Sequence, residues 1–109
     1  AVNEVQRLAF IGSPTAMTFK LAALGSETSV LDYSTITNST LQTALLALAH
    51  IGTGNVVVTG TKTDGFTITY QGARAGVNMP QLVPTDVTGA TPANAAPVVT
   101  TLVEGQAAA

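Results

Sequence analysis

The sequence predicts an α+β fold, a mainly antiparallel β-sheet or sandwich with one α-helix, at about residues 39–51, packed on it. Three observations predict it. Residues 16–22 alternate, with Met17, Phe19 and Leu21 on one side and Thr18 and Lys20 on the other, the two-residue period of a half-buried strand. Phe66, Ile68 and Tyr70 alternate in the same way with Thr67, Thr69 and Gln71. Between them lies one stretch, Leu41, Ala44, Leu45 and Leu48, whose apolar residues recur at helical spacing.

Taken in order, residues 5–11 form a strand covered on both sides, with Leu8 and Phe10 on one face and Val5, Ala9 and Ile11 on the other. The Gly12-Ser13-Pro14-Thr15 turn joins it to residues 16–22 as a hairpin. Residues 29–33 make a third, shorter strand. The helix starts at Ser39, which with Gln42 three places on fits a capping box, each side chain satisfying an orphaned backbone N–H. Gly52 stands where a left-handed C-terminal cap is wanted. A second hairpin, residues 55–61 and 66–71, turns around Lys62-Thr63-Asp64-Gly65. Residues 72–97 hold four of the five prolines and predict a long loop. A last strand follows at 98–104. Residues 1–105 then make one domain, and 106–109 a tail or linker.

A chain of 109 residues is long enough for one hydrophobic core. Although 46% of it is hydrophobic and only 9% charged, its longest apolar run, residues 44–49, is far short of the roughly 20 needed to cross a bilayer, so no membrane is expected. Four basic and six acidic residues give a net charge of -2, and Arg7, Lys20, Lys62 and Arg74 are scattered, so there is no electrostatic footprint for nucleic acid. The absence of cysteine removes disulfide and thiolate chemistry. A surface this poor in charge is weakly protected against association, which points to coverage by a partner.

No catalytic, cofactor-binding or metal residues are expected. On a helical wheel the single histidine, His50, falls opposite Leu41, Leu45 and Leu48, as a solvated residue near a helix C-terminus does. Gly52-Thr53-Gly54 follows the helix and precedes a strand, the reverse of the order that cradles a phosphate. One histidine without cysteine cannot build a usual zinc site, and Asp32, Asp64 and Asp86 lack the spacing of a calcium loop. What remains is contact surface. Leu46 lies on the flank of the helix's polar side, where it either widens the buried stripe or touches another subunit. Val77, Met79, Leu82 and Val83 lie in the long loop and are expected either to dock onto other proteins or to fold back over an open end of the core.

Asn3-Glu4-Val5-Gln6, Leu41-Gln42-Thr43-Ala44-Leu45 leading into Ile51-Gly52-Thr53-Gly54-Asn55-Val56-Val57-Val58-Thr59-Gly60, Phe66-Thr67-Ile68-Thr69-Tyr70-Gln71-Gly72-Ala73-Arg74-Ala75-Gly76 and Met79-Pro80-Gln81-Leu82 carry a resemblance. Together they resemble a small module found, sometimes repeated, in virion proteins of tailed bacteriophages, especially those of actinobacteria. The likeness runs from residue 3 to about residue 83, with a closing strand at 98–105. The Gly12-Ser13-Pro14-Thr15 turn and the alanine- and proline-rich closing loop depart from the family's pattern. The resemblance implies a virion location and a non-enzymatic structural role. Foremost is a capsid decoration or stabilising (cement) protein, binding major capsid or tail subunits as a homo-oligomer. The alternative is an accessory domain of a tail protein with a host-surface or glycan-binding role. It brings no catalytic residue with it.

Overall fold

Strand propensity and alternation dominate the chain, and the computed structural model, which describes residues 2–23, 26–48, 51–52 and 54–106, is built largely of strands. In chain order they are β1 (Val5–Ile11), β2 (Ala16–Ala23), β3 (Ser26–Glu27), β4 (Leu31–Asp32), then helix α1 (Asn38–Leu46), then β5 (Val56–Thr61), β6 (Gly65–Tyr70), β7 (Val83–Thr91) and β8 (Ala96–Val103). A single 3-10 turn, Gly72–Arg74, follows β6. The fold is α+β, two antiparallel sheets with one helix.

The first sheet has the order β5-β6-β1-β8. In the second, Thr18 pairs with both Asp32 and Thr88, and Ala22 with both Glu27 and Val83. A strand has two edges, so β7 runs along one side of β2 while β3 and β4 lie end to end along the other. The alternation in β2 points Met17, Phe19 and Leu21 inward, where they meet Leu8, Phe66, Ile68 and the helix residues Leu41 and Leu45 in one buried cluster. Removing each such side chain from water stabilises the fold by about 1.5–3 kcal/mol. The molecule is long, 46 × 22 × 21 Å.

The hairpin of β5 and β6 forms in the predicted place, in continuous register from Val56↔Tyr70 to Thr61↔Gly65. The hairpin of β1 and β2 does not. β1 is hydrogen-bonded to β6 on one edge and β8 on the other, leaving no edge for β2, so the Gly12–Thr15 turn instead carries the chain from the first sheet to the second. Gly12 has φ +80° there, and a Cβ on it would come within 2.8 Å of the Ala95 backbone.

The segment 72–97 is not a loop throughout. Its stretch Val83–Thr91 is an edge strand whose register against β2 shifts twice, between Ala16 and Thr18 and between Thr18 and Lys20. Asp86 (φ +49°) and Gly89 (φ +64°) take the left-handed conformations that such irregularities require. Pro84 is tolerated because an edge strand keeps one side free of ladder bonds.

The helix begins two residues earlier than predicted. Thr37, not Ser39, is the N-cap: its hydroxyl accepts from the Thr40 amide at 3.3 Å, and the Thr40 hydroxyl accepts from the Thr37 amide at 2.8 Å. Gln42 is thereby released, and its amide oxygen accepts from the Val58 N–H of β5 at 2.9 Å. The helix ends at Leu46, and Leu48 and Ile51 in the following turn stay buried. Gly52, at φ +84°, donates its N–H to Leu48 O at 3.0 Å and closes that turn. His50 lies outside the described residues. Gln106, expected to begin a tail, instead pairs with Val2 through two hydrogen bonds, Val2 N to Gln106 O at 2.8 Å and Gln106 N to Val2 O at 2.9 Å. Residues 107–109 lie outside the described residues.

Candidate interaction surfaces

The five contact residues singled out in the sequence are not brought together. Leu46 is half-buried against the core and so widens the buried stripe of the helix. Met79 and Leu82 are buried, at 5% and 0% exposure, and are corrected from contact residues to core residues. Val77 and Val83 are exposed, on separate segments, Val77 beside Gly105 and Val83 at the start of β7.

A polar side chain explains the burial of Met79 and Leu82. Gln6, fully buried on β1, accepts from the Leu82 N–H at 3.0 Å and donates to Pro80 O at 3.0 Å and to Glu4 Oε2 at 3.1 Å. The Glu4 carboxylate, also buried, accepts the Gly105 N–H at 2.8 Å. These bonds draw the segment after the 3-10 turn down over one end of the core. They also bring Gly105 so close to Val77 that a Cβ on it would lie 1.8 Å from the Val77 carbonyl oxygen. In the same region the buried Tyr70 hydroxyl and Arg74 Nε have no hydrogen-bond partner. Burial, reinforced by the nearby Glu4 charge, pushes the Tyr70 hydroxyl well above its ordinary pKa. Sequence inspection missed Glu4 and Gln6, although extending the Leu8–Phe10 alternation back by two and four places puts both on the inward face.

The outward face of the first sheet is different in kind. The registers set Val57, Thr69, Val5 and Val103 in one row across it, and Thr59, Thr67, Arg7 and Thr100 in the next. Arg7 is the one charge in these rows, and its guanidinium is laid over Gly65 and donates to Asp64 O at 2.5 Å. The sheet's two outer edges are covered by glutamines: Gln42 at β5, and Gln81, which donates to Val99 O at 3.1 Å, at β8.

Two concavities lie around β4. A polar hollow of about 300 Å³ sits between Phe10, Ser13, Tyr33 and Lys62. Lys62 Nζ donates to Tyr33 O at 3.1 Å and Ser34 O at 3.3 Å and lies 4.8 Å from the centre of the Tyr33 ring, which Phe10 meets edge-on. A groove of about 490 Å³ runs between β4 and α1. Asp32 is beside it, its carboxylate accepting the Ser34 hydroxyl at 2.8 Å and amide at 2.9 Å, bonds that hold the carboxyl below the usual range. Among the described residues no three His, Cys, Asp or Glu side chains converge on one point, and no helix is long and apolar enough to cross a membrane.

Comparison with models of known protein families finds none that matches this chain, and comparison with curated proteins finds no match either.

Proposed function

We propose that this chain is a non-enzymatic structural module of a virion, a capsid decoration or stabilising protein that docks on major capsid or tail subunits and associates with further copies of itself. The observation that carries the proposal is the outward face of the first sheet, with its rows of valine and threonine and one charge already bonded to a carbonyl. Burying such a face against a subunit removes apolar area from water and desolvates almost no charge, the composition of an interface core. Four strands about 4.8 Å apart and six or more residues long, at about 3.3 Å each, give a footprint of roughly 19 by 20 Å. The resemblance of the sequence to virion modules of tailed bacteriophages supports the same conclusion.

Co-sedimentation of the purified chain with assembled capsids or tails tests it, together with mass spectrometry of purified particles. Thr67→Lys and Val103→Lys place new charges on the face without touching the core, and each is expected to abolish co-sedimentation while the chain stays folded. Particles that lack the chain overturn the proposal. The second reading, a tail accessory domain with a glycan-binding role, is favoured by the hollow at Tyr33 and Lys62, whose polar groups suit a sugar. A glycan array separates the two: a decoration protein binds capsids and ignores sugars.

A further inference from the structure

We propose that the hollow between Phe10, Ser13, Tyr33 and Lys62 binds a single carboxylate group on a small polar ligand, with Lys62 as the anchoring cation. It is the hollow of the glycan reading above, but what it selects is the charge and not the sugar, so either reading can fail without the other. Three turns from the two sheets build it. They are Gly12–Pro14, where the chain crosses between the sheets, Tyr33 just after β4, and Lys62 with Thr63 in the turn between β5 and β6.

A lysine ammonium carries three N–H donors. Lys62 gives two of them to Tyr33 O at 3.1 Å and Ser34 O at 3.3 Å, both uncharged carbonyls, and the Tyr33 ring 4.8 Å away is uncharged as well. Among the described residues no carboxylate lies within ion-pair distance of Lys62, and the one ion pair joins Lys20 to Asp86. Asp32 is near enough to feel the Lys62 charge, yet its carboxylate is turned to Ser34, and Asp32 lines the other groove. The ammonium is thus held by two bonds and a ring, with its charge uncompensated at short range and a third donor still to place. Because it is already fixed, a ligand that accepts the third donor orders little further on binding.

The lining defines the ligand. No acidic side chain lines the hollow, so nothing in its wall repels an anion. A hydrogen bond from an ammonium to a carboxylate is about twice as strong as one to a neutral oxygen. One remaining donor suits a singly charged carboxylate, whereas a phosphate dianion calls for several donors or a guanidinium fork. Around the cation, Ser13, Tyr33 and Thr63 bring hydroxyls that have no hydrogen-bond partner among the described residues, while the hydroxyls of Thr18 and Thr85 on the second sheet are taken. Such hydroxyls suit the amide or hydroxyl groups of a ligand, and about 300 Å³, at the small end of ligand pockets, admits one small molecule.

The test titrates the whole chain, labelled with nitrogen-15, with two matched pairs: methyl glucuronide against methyl glucoside, and N-acetylaspartate methylamide against its asparagine counterpart. Each pair sets a carboxylate against a neutral polar group. At least one acid is expected to shift the Ser13, Tyr33, Lys62 and Thr63 amide resonances and to bind about ten-fold or more tightly than its neutral counterpart. Which acid does so tells whether a sugar or a peptide side chain carries the carboxylate. Lys62→Gln is expected to abolish the preference for the acid, Lys62→Arg to keep it by keeping the charge, and Lys20→Gln on the second sheet to leave it unchanged. No shift with either acid at tens of millimolar overturns the proposal, as does a preference that survives Lys62→Gln, or tighter binding of inorganic phosphate. Equal binding of the two members of both pairs also overturns it, and if the sugars bind it leaves the glycan reading standing. A preference within the aspartate pair alone supports it while the glycan reading falls.

Discussion

On the outward face of the second sheet, Lys20 meets Asp86 at 3.4 Å, the Thr85 hydroxyl donates to Glu27 Oε2 at 2.7 Å, and Thr18 and Thr88 share a 2.6 Å hydrogen bond. On the outward face of the first sheet no such cross-strand pairs are formed among the described side chains, and its only charge is folded down on a turn. The two faces also differ in regularity. The β5, β6 and β1 ladder keeps its register and that of β1 with β8 shifts once, whereas that of β2 with β7 slips twice. The more irregular sheet is thus cross-linked by its own side chains, and the more regular one keeps its hydroxyls and methyls available. Side-chain bonds that reinforce an imperfect ladder also satisfy the groups a partner would need, so a face cannot easily be both self-stitched and adhesive.

The strongest way to sharpen this comparison is to alternate along β1, whose inward and outward residues serve opposite ends. Gln6→Ala leaves the Leu82 N–H and a Glu4 oxygen without their buried partner and is expected to cost about 3 kcal/mol in urea unfolding. Its outward neighbour Arg7→Ala is expected to cost less than about 1 kcal/mol. Leu45→Ala, on the helix that closes the core over both sheets, is expected to cost roughly 2 to 5 kcal/mol and serves as the reference for a purely apolar loss.

Smaller effects divide the sheets. Tyr70→Phe deletes a buried hydroxyl without a partner and is expected to raise stability by about 1 kcal/mol at neutral pH. The pH dependence follows from the raised pKa. The folded chain holds the Tyr70 proton more tightly than the unfolded chain does, so its contribution is full below about pH 10 and falls as pH rises above that. Alkaline unfolding of Tyr70→Phe, followed by circular dichroism, is expected to lack that part of the loss. Thr18→Val removes the bond to Thr88 and is expected to cost about 0.5 to 1 kcal/mol, while Thr67→Val on the first sheet is expected to change stability by less than about 0.5 kcal/mol. Equal losses would erase the distinction between the faces. Smallest of all, Lys20→Ala is expected to cost less than about 0.5 kcal/mol and to become neutral in high salt, because Asp86 is exposed and Lys20 only half-buried.

Much of this architecture was legible where one residue's neighbours alone decide its state. The alternation of Met17, Phe19 and Leu21, the turn chemistry of Asp64-Gly65 and the spacing of Leu41 and Leu45 report burial directly, and the structure agrees with each. The outward face of the first sheet is written in the same code, as the threonines that alternate with Phe66, Ile68 and Tyr70. What was illegible depends on pairing across long separations. Nothing local tells β1 that β8, some ninety residues later, takes the edge that β2 would have used. Strand β7 was hidden because its side chains are mostly exposed and its register broken, so no period survives. Whether Met79 and Leu82 dock outward or fold back over the core was not legible, because their burial depends on Gln6, a residue type that ordinarily faces water.

The bridge between Val2 and Gln106 has a practical consequence for handling the molecule. Val2 and Gln106 lie at the end of the first sheet away from the Thr61–Gly65 turn, since β1 runs from that bridge toward Leu8, which pairs with Phe66. Labels placed at Val2 and at Gln106 therefore sit side by side. At the other end of that sheet the hairpin turn is already occupied, since Lys62 donates to Tyr33 O and Ser34 O beside the second sheet.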